Sequence, residues 1–273
     1  MKAASLAHFH TITDAPDTAP WLTFLHGATQ HSGLFSAQVV HFRDRYRLLL
    51  VDLPGHGRSA GIGGPYGQVE YAAHVSAAMD AAGVDRTHLW GTHTGAAVGL
   101  LLAHEQPGRI TSLILDGAVL PGAAMPYTTF AIDRARASAT SRGMAAAREE
   151  WFDACDWFNV IRERPVECRA DEHRQLIAAF AGGPWLDEAA PAPVPTLEPV
   201  LPSMTVPVLL VNGEHDVPEF LATAQTLRSA MPRAERIIIP AGGGFPLWEF
   251  PAAVNAQVEA FLGGVSAPLR SVT

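Results

Sequence analysis

The sequence predicts an α/β fold: a mostly parallel central sheet flanked by helices, with a helical block inserted after a strand that ends near Asp116. Three observations predict it. Strand-length apolar runs alternate with helical patterns on both sides of the block, and that alternation implies parallel pairing through crossover helices. The alternation stops at about residue 119 and resumes at about 203. One strand, Thr87–Trp90, runs directly into Gly91-Thr92-His93-Thr94-Gly95, a glycine-flanked turn that opens a helix.

In order, residues 6–13 read as an edge strand and 14–20 as a turn-rich link. Trp21–Leu25 is a buried strand stopping at His26-Gly27. Tyr46–Asp52 is another, ended by Leu53-Pro54-Gly55-His56-Gly57-Arg58-Ser59. Tyr66–Ala82 is alanine-rich and followed by Gly83, a helix with its C-terminal stop. Thr87–Trp90 is a strand, Gly95–Glu105 a helix and Ile110–Leu115 a strand. Three helices are expected at Thr128–Arg142, Met144–Phe158 and Pro165–Phe180, then a proline-dense extended return over Pro184–Pro202. Val206–Val211, Pro218–Ala230, Arg236–Ile239 and Pro251–Leu262 restore the strand–helix alternation. The expected organisation is a core of residues 1–118 and 203–273 with residues 119–202 as a helical cap.

Composition narrows the function. The chain has 273 residues, 48% hydrophobic and 17% charged, enough for a large ordered core. A formal net charge of -8, without a basic run, excludes phosphate-backbone recognition and hence nucleic acid as a partner. No apolar run is long enough to span a bilayer, and residues 1–10 lack a signal-peptide core. Two cysteines, Cys155 and Cys168, give neither a disulfide framework nor a zinc motif, so a reducing cytoplasm is the expected compartment. His26, His31, His93, His215, Glu214 and Asp216 lack paired-histidine helix spacing, and neither metal nor other cofactor is expected. The expected partner is a small molecule. Oligomeric state is left open, a dimer included.

Five segments in fixed order carry a resemblance: His26-Gly27, Asp52 to Ser59, Gly91 with Gly95, Asn212-Gly213-Glu214-His215-Asp216, and Pro240-Ala241-Gly242-Gly243-Gly244-Phe245-Pro246. Together they resemble the capped α/β-hydrolase superfamily, in particular its epoxide hydrolase, C–C hydrolase and cofactor-free dioxygenase-like members. The turn around residue 93 resembles the Gly-x-Ser-x-Gly nucleophile elbow of that fold. The resemblance implies Asp216 as the acid, His93 at the nucleophile position, Gly244 at the position of the catalytic histidine, and an oxyanion hole from the backbone N–H of Ala28 and Thr94. Asp116 is an alternative acid.

Glycine at 244 moves no proton and histidine at 93 gives no serine ester, so the acyl-serine route is closed. The expectation is that the His93 ring fills part of the volume vacated at Gly244 and reaches Asp216. The pair would then serve as a non-covalent general acid/base for a lyase, isomerase, cyclase, cofactor-free oxygenase or water-activating hydrolase, acting on a small apolar or aromatic molecule. His26, His31, Trp151, Trp157 and Trp185 are candidate pocket residues, with His26 mainly structural. Two alternatives stay open: a catalytically silent ligand-binding protein on the same scaffold, and an altered form of an ordinary serine hydrolase.

Overall fold

A computed structural model describes residues 6–266. The strands β1 (Phe9–Ile12), β2 (Trp21–Leu25), β3 (Arg47–Val51), β4 (Thr87–Thr92), β5 (Ile110–Asp116), β6 (Val208–Gly213) and β7 (Ala234–Ile239) form one seven-stranded sheet. Its order is β1-β3-β2-β4-β5-β6-β7; β1 runs antiparallel to β3 and every other pair is parallel. All residues of β2, β4 and β6 are buried, as strands covered on both faces require.

The helices are α1 (Ser36–Phe42), α2 (Gln68–Ala81), α3 (Thr94–Glu105), α4 (Pro126–Arg142), α5 (Met144–Ala154), α6 (Asn159–Glu163), α7 (Ala170–Ala178), α8 (Gly183–Leu186), α9 (Pro218–Ala230), α10 (Pro246–Glu249) and α11 (Pro251–Ser266). Every expected strand is present. Short α1 and α10 fall in stretches where the sequence signals no helix. Too few residues in either show a helical period.

The helical block departs from expectation at three joints. The helix expected over 144–158 stops at Cys155, whose ψ of 131° is extended, and restarts as a 3-10 turn at Asp156–Phe158. The break has a tertiary partner: the Asp156 N–H, free of α5, donates to the Tyr127 hydroxyl at 2.8 Å. After the short α6, the helix expected over 165–180 begins only at Ala170, where Arg169 takes a left-handed backbone. The proline-rich return contains α8 and a 3-10 turn at Glu198–Ser203.

Two features position the site. The chain path reverses at β2: β3 pairs on one side of it and β4 on the other, so the loops leaving β2 and β4 diverge and open a crevice at the strands' carboxyl ends. The helical block is tied over this edge by Glu219 of α9. Its carboxylate accepts the N–H of Tyr127 and Thr128 and the Thr128 hydroxyl, satisfying the first turn of α4.

Candidate functional site

The turn between β4 and α3 is dictated by its two glycines. A Cβ at Gly91 would lie 2.3 Å from the carbonyl oxygen of Gly95, and one at Gly95 would lie 2.1 Å from that of Leu25. With both absent the chain folds back on itself, and the residue at the apex, His93, has φ 47° and ψ -107°. A non-glycine residue held there costs about 1–3 kcal/mol and needs surrounding structure to hold it. That support comes from its own backbone: the His93 N–H donates to Asp116 O, and His93 O accepts from Ala96 and Ala97.

The side chain of His93 does not reach Asp216. No hydrogen bond joins them among the described residues, and the Asp216 oxygens accept instead from Asn212 Nδ2 (2.9 Å) and the Val217 N–H (2.8 Å). The expected dyad is therefore corrected. The ring packs in an aromatic box, stacked on Phe220 at 4.7 Å and edge-on to Phe245 at 4.7 Å. Burial drives its pKa down to about 4, opposed only by the Gly244 carbonyl, so the imidazole is neutral at pH 7. Its Nε2 is buried without a hydrogen-bond partner among the described residues.

The space at Gly244 is also not what the sequence suggests. A Cβ there would lie 2.5 Å from Trp157 Cβ and 2.7 Å from the Trp157 carbonyl oxygen. The helical block, rather than the His93 ring, has closed over the vacated position. His93 instead occupies room left by a second glycine. Gly117, at φ +56°, would carry a Cβ 2.4 Å from His93 Cδ2 and Nε2. Gly117→Ala is expected to cost about 2–4 kcal/mol, left-handed strain plus overpacking. His93→Ala in the same chain should recover at least about 1 kcal/mol of it. Strictly additive losses in a denaturation cycle would refute the packing of the ring against residue 117.

Three buried carboxyls, Asp116, Asp216 and Glu249, lie near enough for Asp116 to feel the charges of the other two. Asp116 is fully buried, accepts only a 3.3 Å bond from the Leu247 N–H and leaves Oδ1 without a partner among the described residues. Burial first, then the charges of Asp216 and Glu249, push its pKa well up. Burial raises Asp216 to about 7 and Glu249 to about 7. In the sequence Glu249 is marked only as lying, with Pro251, behind the segment Pro240 to Pro246. Its carboxylate accepts the N–H of Gly243 and Phe245, and so braces the loop that carries Gly244.

A cavity of about 110 Å³ lies beside His93, between the β2 and β4 loops and the helical block. Of the candidate site residues, Ala28, Thr94, Trp151 and Trp157 line it beside His93. The other candidates do not. His26 is a structural residue: one ring nitrogen pairs with Gly27 O and the other accepts the Leu53 N–H. His31 accepts the Gly33 N–H and lines a separate surface groove with His10, Asp52 and Arg58. Trp185 packs behind Trp151 at 5.3 Å. Gln30, Gln68, Phe220 and Phe245 also line the cavity, and the sequence does not single them out. Gln30 lies only two residues past Ala28, but a lone loop glutamine carries no periodicity or motif to mark it.

The family profile described as "alpha/beta hydrolase fold" matches residues 20–154. The chain is similar to the putative carbamate hydrolase RutD of Caulobacter sp. (strain K31), 28% identical over 95% of this chain and 97% of that one. It is likewise similar to the 2-succinyl-6-hydroxy-2,4-cyclohexadiene-1-carboxylate synthase of Yersinia pestis (strain Pestoides F), 28% identical over 89% of this chain and 87% of that one. Among solved structures, MenH from S. aureus superposes with a TM-score of 0.81 at 21% identity, covering 95% of this chain and 99% of that one. The enol-lactonase from Burkholderia xenovorans LB400 gives 0.78 at 21%, covering 94% and 96%. Strand order, elbow geometry and these likenesses together establish that this chain has the α/β-hydrolase fold.

Proposed function

We propose that this chain is an enzyme whose helical segment, residues 119–202, caps a site for a small, largely apolar molecule, on which His93 acts by non-covalent acid/base chemistry. One observation carries the reading: a neutral imidazole, with no acid partner among the described residues, sits at the elbow apex beside a cavity lined by Ala28 and Thr94. The backbone N–H groups of those two residues are the donors for charge developing on a substrate oxygen. His93 takes up the proton without Asp216 to orient it. Relatives named for a hydrolase and for a synthase fit a scaffold that supports more than one reaction.

The chemistry has a pH signature. A base pushed down to about 4 stays available across the neutral range and is lost only as pH falls through 4. Solvent-deuterium exchange into the α-positions of small ketones, followed by NMR, reads such a base without knowledge of the substrate. Exchange above background should hold from pH 8 to about 5, fall towards pH 4, and vanish in His93→Ala. A limb centred near ~6.5, the value of a solvated histidine, would contradict the buried base. Labelling of any serine by a fluorophosphonate would replace the proposal with ordinary serine chemistry.

A second reading, binding without catalysis, is favoured by one specific observation: Trp157 fills the position from which a base would act on residue 93. It predicts no exchange in any probe and ligand affinity nearly unchanged by His93→Ala.

A further inference from the structure

The cavity wall holds a polar group that the acid/base reading does not use. Gln30 is 1% exposed, and neither its Nε2 nor its Oε1 has a hydrogen-bond partner among the described residues. Gln68 Oε1 and Trp151 Nε1, in the same wall, are likewise buried and unpartnered. Leaving a buried polar atom unpaired costs about 1–3 kcal/mol, so a wall with four such atoms besides His93 Nε2 is costly unless something inside completes it.

We propose that this cavity recognises a small uncharged molecule presenting an amide edge, a carbonyl acceptor beside an N–H donor, as in a carboxamide, lactam, imide or urea, with Gln30 reading that edge. The inference rests on the reading of the cavity as a ligand site and adds the chemical class. A carboxamide offers one donor and one acceptor at fixed spacing, and its full complement is a second amide edge. Trp151 Nε1 can only donate and Gln68 Oε1 can only accept, which extends the same donor–acceptor complement.

Charge points the same way. Among the described residues no Lys, Arg, Asp or Glu lines the cavity, so an ionic ligand would be buried without a counter-charge. Size also restricts the ligand. A cavity of about 110 Å³ is well below the ~300–1,000 Å³ of sites for drug-sized molecules. Trp157, Phe220 and Phe245 supply flat apolar walls for the remaining atoms, so the ligand class is a small ring or short chain bearing one amide edge.

Three rings of nearly equal size separate the amide edge from burial alone: δ-valerolactam, δ-valerolactone and cyclohexanone, titrated by calorimetry against the wild type and Gln30→Met. The lactam is expected to bind the wild type at least tenfold more tightly than the other two. Gln30→Met should lose at least tenfold in lactam affinity, hold cyclohexanone within about threefold, and melt no lower than the wild type, since it deletes unpaired atoms rather than bonds. Trp151→Phe should weaken the lactam and spare cyclohexanone.

Equal binding of all three rings by the wild type overturns the amide edge and leaves the ligand site standing. If none of the three binds, both fall. A Gln30→Met variant that keeps the lactam preference overturns the role of Gln30. So does one that melts several degrees lower, because Gln30 would then be bonded in the ligand-free protein, through water or a shifted neighbour.

Discussion

Building a serine and a histidine into the elbow and the last loop, with His93→Ser and Gly244→His in one chain, is expected to destabilise the protein by about 3–5 kcal/mol and to yield no ester hydrolysis. The obstacle is at position 244. A Cβ built there meets Trp157 at its Cβ, its Cα (2.8 Å) and its carbonyl oxygen, so the side chain collides with backbone as well as side-chain atoms. Trimming Trp157 to a smaller residue leaves the Cα and the carbonyl in place. An imidazole can enter only if the segment between α5 and α6 moves, and that segment is anchored by the bond from Asp156 N–H to Tyr127. Guanidinium denaturation reads the stability; ester turnover and fluorophosphonate labelling read the chemistry. A double variant as stable as the wild type that labels at the introduced serine would show that the helical block yields easily, and would revive the reading of an altered serine hydrolase.

Acidification from pH 6.5 to 4.5 is expected to remove about 5 kcal/mol of stability, a large part of the ~5–15 kcal/mol that a domain has. Five buried histidines set the sign. His26, His88 and His93 are pushed to about 4, and His56 and His173 to about 3, in each case chiefly by burial. Unfolded, each would titrate near ~6.5. Their contribution is complete above that value and is lost as pH falls towards their folded values.

Asp116, Asp216 and Glu249 act in the opposite direction. With raised folded pKa values they keep protons that the unfolded chain has released, so their contribution is complete at low pH and is lost as pH rises towards 7. Five histidines against three carboxyls leave about two protons taken up on unfolding in this window, a slope of about 2.7 kcal/mol per pH unit. Denaturation midpoints measured at half-unit steps check it. A stability that is flat or improves towards pH 4.5 would mean the carboxyls dominate. Asp216→Asn, which removes one opposing group, should steepen the acid loss.

The strands and their parallel pairing were legible because buried strands between crossover helices leave continuous apolar runs ended by glycine and proline. The elbow was legible because two glycines at fixed spacing mark a backbone approach that no other residue permits. The joints of the helical block were not. Cys155 and Arg169 take non-helical backbones inside helical patterns, and the break at Cys155 is accompanied by a bond from the Asp156 N–H to Tyr127, far off in sequence.

His93 divides along the same line. By itself the sequence determined the fold and the glycine-flanked turn, and it placed His93 and Gly244 at the two positions that the resemblance marks. The tertiary structure alone decided what surrounds them: His93 lies in the space left by Gly117, Trp157 closes over Gly244, Asp216 turns to Asn212 and Val217, and Gln30 faces the cavity with no partner among the described residues. The physical reason is range. Turn chemistry and strand patterns depend on residues a few positions apart, whereas the partner of a buried side chain is chosen by whichever distant element reaches the same volume first.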